Sequence, residues 1–121
     1  MKVYLAGPMR GYPNFNFPAF DFAAAALRSQ GHEVFSPAER DREAYGPEVE
    51  NNPTGDESKG PPGLTIRDCM LADTDWICRH AEAIALLPGW EKSRGALAEK
   101  ALGEAIGATI IILGQEYVNH G

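Results

Sequence analysis

Cysteine is scarce in this chain. Only Cys69 and Cys78 occur among 121 residues, too few for a disulfide scaffold. On one helix, nine positions apart, they would be separated by about 13 Å at the ~1.5 Å rise per residue, beyond disulfide reach. Histidine is sparse as well: His32, His80 and His120 are scattered without metal-ligand spacing. No apolar run approaches the roughly 20 residues of a membrane helix, and the chain opens on a strand-like segment rather than a signal peptide. Basic runs are also missing. Eleven Lys and Arg stand against 17 Asp and Glu, a net charge of −6, which makes duplex DNA, RNA and anionic membranes poor partners. Neither GxGxxG nor GxxxxGK[ST] is present, so the dinucleotide and P-loop fingerprints are both absent. The expectation is a cytoplasmic, metal-free protein. A small phosphorylated ligand is not excluded, because a local pocket can be positive on a negative protein.

What is present suits one α/β domain spanning residues 1–121. Hydrophobic residues make up 44% of the chain, enough for a core at this length. Lys2 to Ala6 (KVYLA) reads as a buried strand stopped by Gly7-Pro8. A helix then starts near Asn16 to Pro18, with Asn16 as its cap, carries Phe20, Ala23, Ala24 and Leu27 as its stripe, and stops at Gly31. A short strand spans His32 to Phe35. Residues 38–64 hold four prolines and four glycines and read as a long irregular loop, a lid or an insertion, within which Glu39 to Tyr45 could form a short helix. Thr65 caps a helix running to about His80. Ala83 to Pro88 (AIALLP) is apolar throughout, as a central parallel strand should be. Ser93 caps a helix over Arg94 to Ile106, and Thr109 to Leu113 is a fourth strand. This alternation predicts a Rossmann-like, flavodoxin-like three-layer fold: a small parallel sheet in the order 2-1-3-4 with helices on both faces. Ligands then bind beyond the carboxyl ends of strands 1 and 3.

The loops that meet there carry the candidate chemistry. Arg10 follows strand 1 in a glycine setting, Gly7 to Gly11, that lets backbone approach a ligand. Its guanidinium fork suits phosphate or carboxylate, although a surface arginine in a turn is the plain alternative. Gly89 and Trp90 open the loop after strand 3, and Trp90, like Trp76, could stack on a base or belong partly to the core. Ser93, Gly95, Lys92 and Arg94 surround a helix N-terminus, where free N–H groups and the macrodipole favour an anion; Ser93 could equally be only a cap. Glu99 lies six residues, about 9 Å, along that helix, with its side chain leaning back toward the tip. It is either a solvated glutamate or a carboxylate beside the ligand. Asp73 and Asp75 could bring a second carboxylate from the preceding helix. Two carboxylates flanking a glycosidic bond are the equipment for glycoside cleavage.

With YLAGPMRG at the start and LPGW-x-x-S-x-G-A later, the chain resembles the nucleoside 2-deoxyribosyltransferase superfamily, in particular small members similar to 2'-deoxynucleoside 5'-monophosphate N-hydrolase. The resemblance covers Lys2 to Arg10 and Ala72 to Gly107. It implies that Tyr4 neighbours the nucleophile and that Arg10 helps hold the nucleotide. The Asp-x-x-Trp pattern singles out Asp73, with Asp75 as a substitute. It further implies that Ser93, Gly95 and the helix tip bind the 5'-phosphate and that Glu99 attacks C1'. Such proteins often complete the site with a polar residue from a neighbouring subunit's C-terminal region, where this chain offers Asn119. The implied activity is hydrolysis of the N-glycosidic bond of a (deoxy)nucleoside 5'-monophosphate, without a cofactor, in a homodimer. The alternatives are deoxyribosyl transfer between bases, a non-catalytic nucleotide-binding protein on the same scaffold, and a structural protein.

Overall fold

The computed structural model describes residues 1–118. Four strands, β1 (Lys2–Ala6), β2 (Glu33–Phe35), β3 (Ala83–Leu86) and β4 (Thr109–Ile112), form one parallel sheet in the order β2-β1-β3-β4. Helices α1 (Phe17–Ser29), α2 (Pro37–Tyr45), α3 (Ile66–His80) and α4 (Arg94–Ala105) connect them. The predicted topology is therefore the observed one. Its cause is legible in β1 and β3, which are apolar on both faces and wholly buried from Val3 to Ala6 and from Ala83 to Leu86. A strand buried on both faces needs a helix layer on each. Val3 and Leu5 face Phe17, Phe20 and Leu27 of α1, whereas Tyr4 and Ala6 face Ile77 of α3 and Ala96 of α4. This alternation is the period-two geometry of a strand, and it sends Tyr4 to the α3–α4 side.

Two helix starts follow their capping chemistry. Thr65 Oγ1 accepts from Asp68 N at 3.2 Å, and Ser93 Oγ accepts from Ala96 N at 3.2 Å. The start of α1 does not. Asn16 occupies the cap position in a left-handed conformation, and its side chain donates to Pro8 O at 3.0 Å instead. It ends a run of three left-handed residues, Asn14, Phe15 and Asn16, with φ of 54°, 54° and 62°. For phenylalanine this backbone is a genuine outlier, held by the burial of its ring.

In segment 38–64 the short helix expected over Glu39 to Tyr45 forms, while the expectation of an irregular loop for the rest is corrected. Residues 37–45 are helical, because Pro37 presets the first turn, Glu39 sits at the positive end and Arg42 at the negative end. The remainder is a strap of turns docked on the β1–α1 loop. Gly11 N donates to Gly55 O at 2.9 Å and Asn14 N to Asn52 O at 2.8 Å. Asn52 Nδ2 donates to Asp56 O at 2.8 Å, and Val49 and Leu64 are buried beneath it. The strap thus satisfies its own polar groups and adds α2 and residues 57 and 64 to the carboxyl end of the sheet.

Candidate active site

A cavity of about 290 Å³ opens beyond the end of β1. The β1–α1 loop, α2, α3, the N-terminus of α4 and the strap enclose it. Among its lining residues are the predicted Tyr4, Gly7, Arg10, Asp73, Ser93, Gly95 and Glu99. Gly89 and Trp90 do not line it. Gly89 is left-handed (φ 93°), and a side chain there would press on the Tyr12 hydroxyl at 3.0 Å and Pro8 at 3.1 Å, so its glycine serves the turn. Trp90 packs on the α3–α4 core with Lys100 Nζ 5.7 Å from its ring. Gly7 lines the cavity, but a Cβ there would lie 2.8 Å from Leu87 Cβ, so strand packing already demands it. Gly95 is different. Beyond its chain neighbours and the backbone of its own helix, no described protein atom lies within 4 Å of its missing Cβ; the space it leaves is free for a ligand.

Glu99 is only 6% exposed, on the buried Ala96–Glu99–Gly103 face of α4. The buried Tyr4 hydroxyl donates to Glu99 Oε2 at 2.8 Å. The Tyr4 ring is fixed in turn by Phe35 at 5.6 Å, and Phe35 by Trp76 at 5.1 Å, which gives Trp76 a packing role. Asp73 shares the inward face of α3 with Cys69 and Ile77. That 69–73–77 spacing is one helical stripe, and it turns Asp75 outward, where Arg79 pairs with it at 2.8 Å. The second carboxylate in the cavity is therefore Asp73. Its Oδ1 is buried without a hydrogen-bond partner, an arrangement costly enough to call for a ligand or a proton.

Both carboxyls hold their protons well above the ordinary range. Burial and then the charge of Asp73 push Glu99 up to about 8, against the hydrogen bond from Tyr4 and the charge of Arg10. Burial and then the charge of Asp41 push Asp73 up to about 7. For groups so coupled, protons leave the pair rather than one residue. The Tyr4 hydroxyl bonded to Glu99 favours the charged form of that carboxyl, and Asp73 keeps an orphan oxygen, so the last proton is shared within the pair.

Arg10 reaches the cavity but is not free, since its Nε donates to Glu57 of the strap. Asp41, only 6% exposed on α2, adds a third buried carboxyl. Sequence reasoning missed both acids. The Arg10–Glu57 pairing, 47 residues apart, leaves no local signal. Asp41 leaves one: with Pro37 and Ala38 it forms the buried stripe of α2. Asn119 lies outside the described residues. Among the described residues no His, Cys, Asp and Glu group is arranged to hold a metal ion, and no helix is long and apolar enough to cross a membrane.

No curated protein and no solved structure matches the chain. Residues 1–112 match the family described as Domain of unknown function (DUF4406), and the chain belongs to that family.

Proposed function

We propose that the protein hydrolyses the N-glycosidic bond of a (deoxy)nucleoside 5'-monophosphate. The observation that carries this reading is the pair of buried carboxyls, Glu99 held by Tyr4 and Asp73 with an orphan oxygen, in a cavity that also exposes the N-terminus of α4. The 5'-phosphate would sit at that tip, beside Ser93 and the open space at Gly95. Arg10 would exchange Glu57 for the phosphate. The ionised Glu99 would attack C1', and the bonding pair of the C1'–N bond would leave with the base as Asp73 delivers its proton. Water would then attack C1' of the glycosyl-enzyme and give a proton to the Asp73 carboxylate. Glu99 is released and (deoxy)ribose 5-phosphate is freed. No step needs a redox or metal cofactor. A 2'-deoxy sugar suits the route, because no electron-withdrawing hydroxyl opposes positive charge at C1'.

The test is chromatography of free base from each common nucleoside monophosphate, with and without a second nucleobase. Base release without an acceptor supports hydrolysis. Exchange only with an acceptor makes the protein a deoxyribosyltransferase. Binding with no release from any nucleotide makes it a non-catalytic nucleotide-binding protein. We also propose that two copies pair, since Leu97, Ile106 and Ile112 of the α4–β4 edge are exposed apolar groups.

A further inference from the structure

The inner stripe of α2 contains Pro37, Ala38 and Asp41. A carboxylate in such a stripe loses most of its hydration and must be compensated by partners or by a proton. Elsewhere this chain compensates an acid fully. Arg42 grips Asp21 with two bonds, at 2.8 and 2.6 Å, although Asp21 is far more exposed. Asp41 receives only a single 3.3 Å contact from Arg40, its immediate neighbour, and adjacent residues on a helix do not face each other well. Arg40 is also drawn over the Tyr45 ring, 5.5 Å from its centre. The other cation that acts on it, Arg10, is committed to Glu57. Asp41 is thus buried, weakly paired and open to the cavity that holds Asp73.

Six groups act on Asp73: Tyr4 from β1, Glu99 from α4, Arg10 from the β1–α1 loop, Cys69 from its own helix, and Arg40 and Asp41 from α2. Of the two carboxyls among them, Glu99 accepts the Tyr4 hydrogen bond and Asp41 does not. Ionising Asp73 beside a charged Asp41 adds like-charge repulsion to the cost of its own burial. Asp41 has the contact from Arg40, and Asp73 has an oxygen with no partner. The charge therefore resides on Asp41 and the proton on Asp73.

We infer that Asp41 is a positioning residue whose negative charge keeps the proton on Asp73, ready for the departing base. The inference deepens the proposed function and rests on it for the role of that proton. Asp41 itself touches no reacting atom in this scheme, and Asp73 alone donates.

The test is a carboxyl-carbon NMR titration of the full chain labelled with ¹³C at aspartate, the Asp73 signal being assigned by its loss in Asp73→Asn. In the parent protein Asp73 should titrate near neutrality, after Asp41 has ionised. In Asp41→Asn its midpoint should fall by about one pH unit, and Asp41→Glu should restore it. The high-pH limb of kcat/KM for base release should move down by the same amount, with KM little changed. An unmoved Asp73 midpoint in a folded Asp41→Asn protein overturns the inference. If that variant does not fold, the parent titration decides: Asp73 ionising before Asp41, or independently of it in the ordinary carboxylate range, overturns it equally. A shifted midpoint in a protein that releases no base from any nucleotide upholds the charge coupling and overturns the hydrolase reading, so the two can fail separately.

Discussion

Glu99 and Asp73 occupy positions where an apolar residue would stabilise the fold, and their cost has a definite pH signature. Both carboxyls titrate well above their unfolded values, at about 8 and about 7. Between the ordinary carboxylate range and those values the native state binds more protons than the unfolded chain. Stability must therefore fall as pH rises through that window. Thermal unfolding should show a Tm that declines from pH 5 to pH 8. In Glu99→Gln, which carries no charge to bury, the decline should flatten and the variant should be the more stable protein at pH 8. An unchanged slope would mean that the Glu99 carboxylate finds compensation beyond Tyr4. At this scale the sequence was informative where a short spacing sufficed. Ser93, Gly95 and Glu99 lie on one helix end, and helical geometry alone brings them to one site. Asp73 against Asp75 needed the burial of α3, because two residues along a helix change face.

At the scale of elements, β1, β3, α3 and α4 were legible because each carries a buried pattern bounded by Gly, Pro or a capping hydroxyl. In the segment after β2 the short helix over Glu39 to Tyr45 was legible, but the strap that follows was not, because it closes over the β1–α1 loop through pairings dozens of residues apart. Its lock is Gly55, left-handed at φ 67°, where a Cβ would lie 2.3 Å from Tyr12 O. Gly55→Ala should cost about 2 kcal/mol or more, combining an unfavourable backbone with a backbone clash, measurable by urea denaturation. Because the strap carries Glu57 to Arg10, the same variant should also alter nucleotide affinity. A neutral Gly55→Ala would show that the strap is not docked as described. Of the two readings open for Trp90, the core one holds: its loop leaves the sheet edge, but its ring turns back onto the α3–α4 core rather than into the cavity.

For the whole molecule, the net charge of −6 and an anionic ligand are compatible only because charge is unevenly placed. The one cavity lining combines the buried carboxyls with Ser93, the α4 tip, Lys92 and Arg94. The topology brings these groups together, and that much followed from strand order. How copies of the chain associate did not, since it depends on surfaces rather than periodicity. Sedimentation should give twice the 13.1 kDa chain mass if the exposed α4–β4 edge is covered by a second copy; a monomer at micromolar concentration would refute the pairing. The central claim is narrower, that the carboxylate held by Tyr4 attacks C1'. Its most direct measurement is base release by Glu99→Ala alongside nucleotide binding. The account predicts a loss of at least about a thousandfold in release with binding retained, whereas a variant that releases base at the parent rate would contradict it.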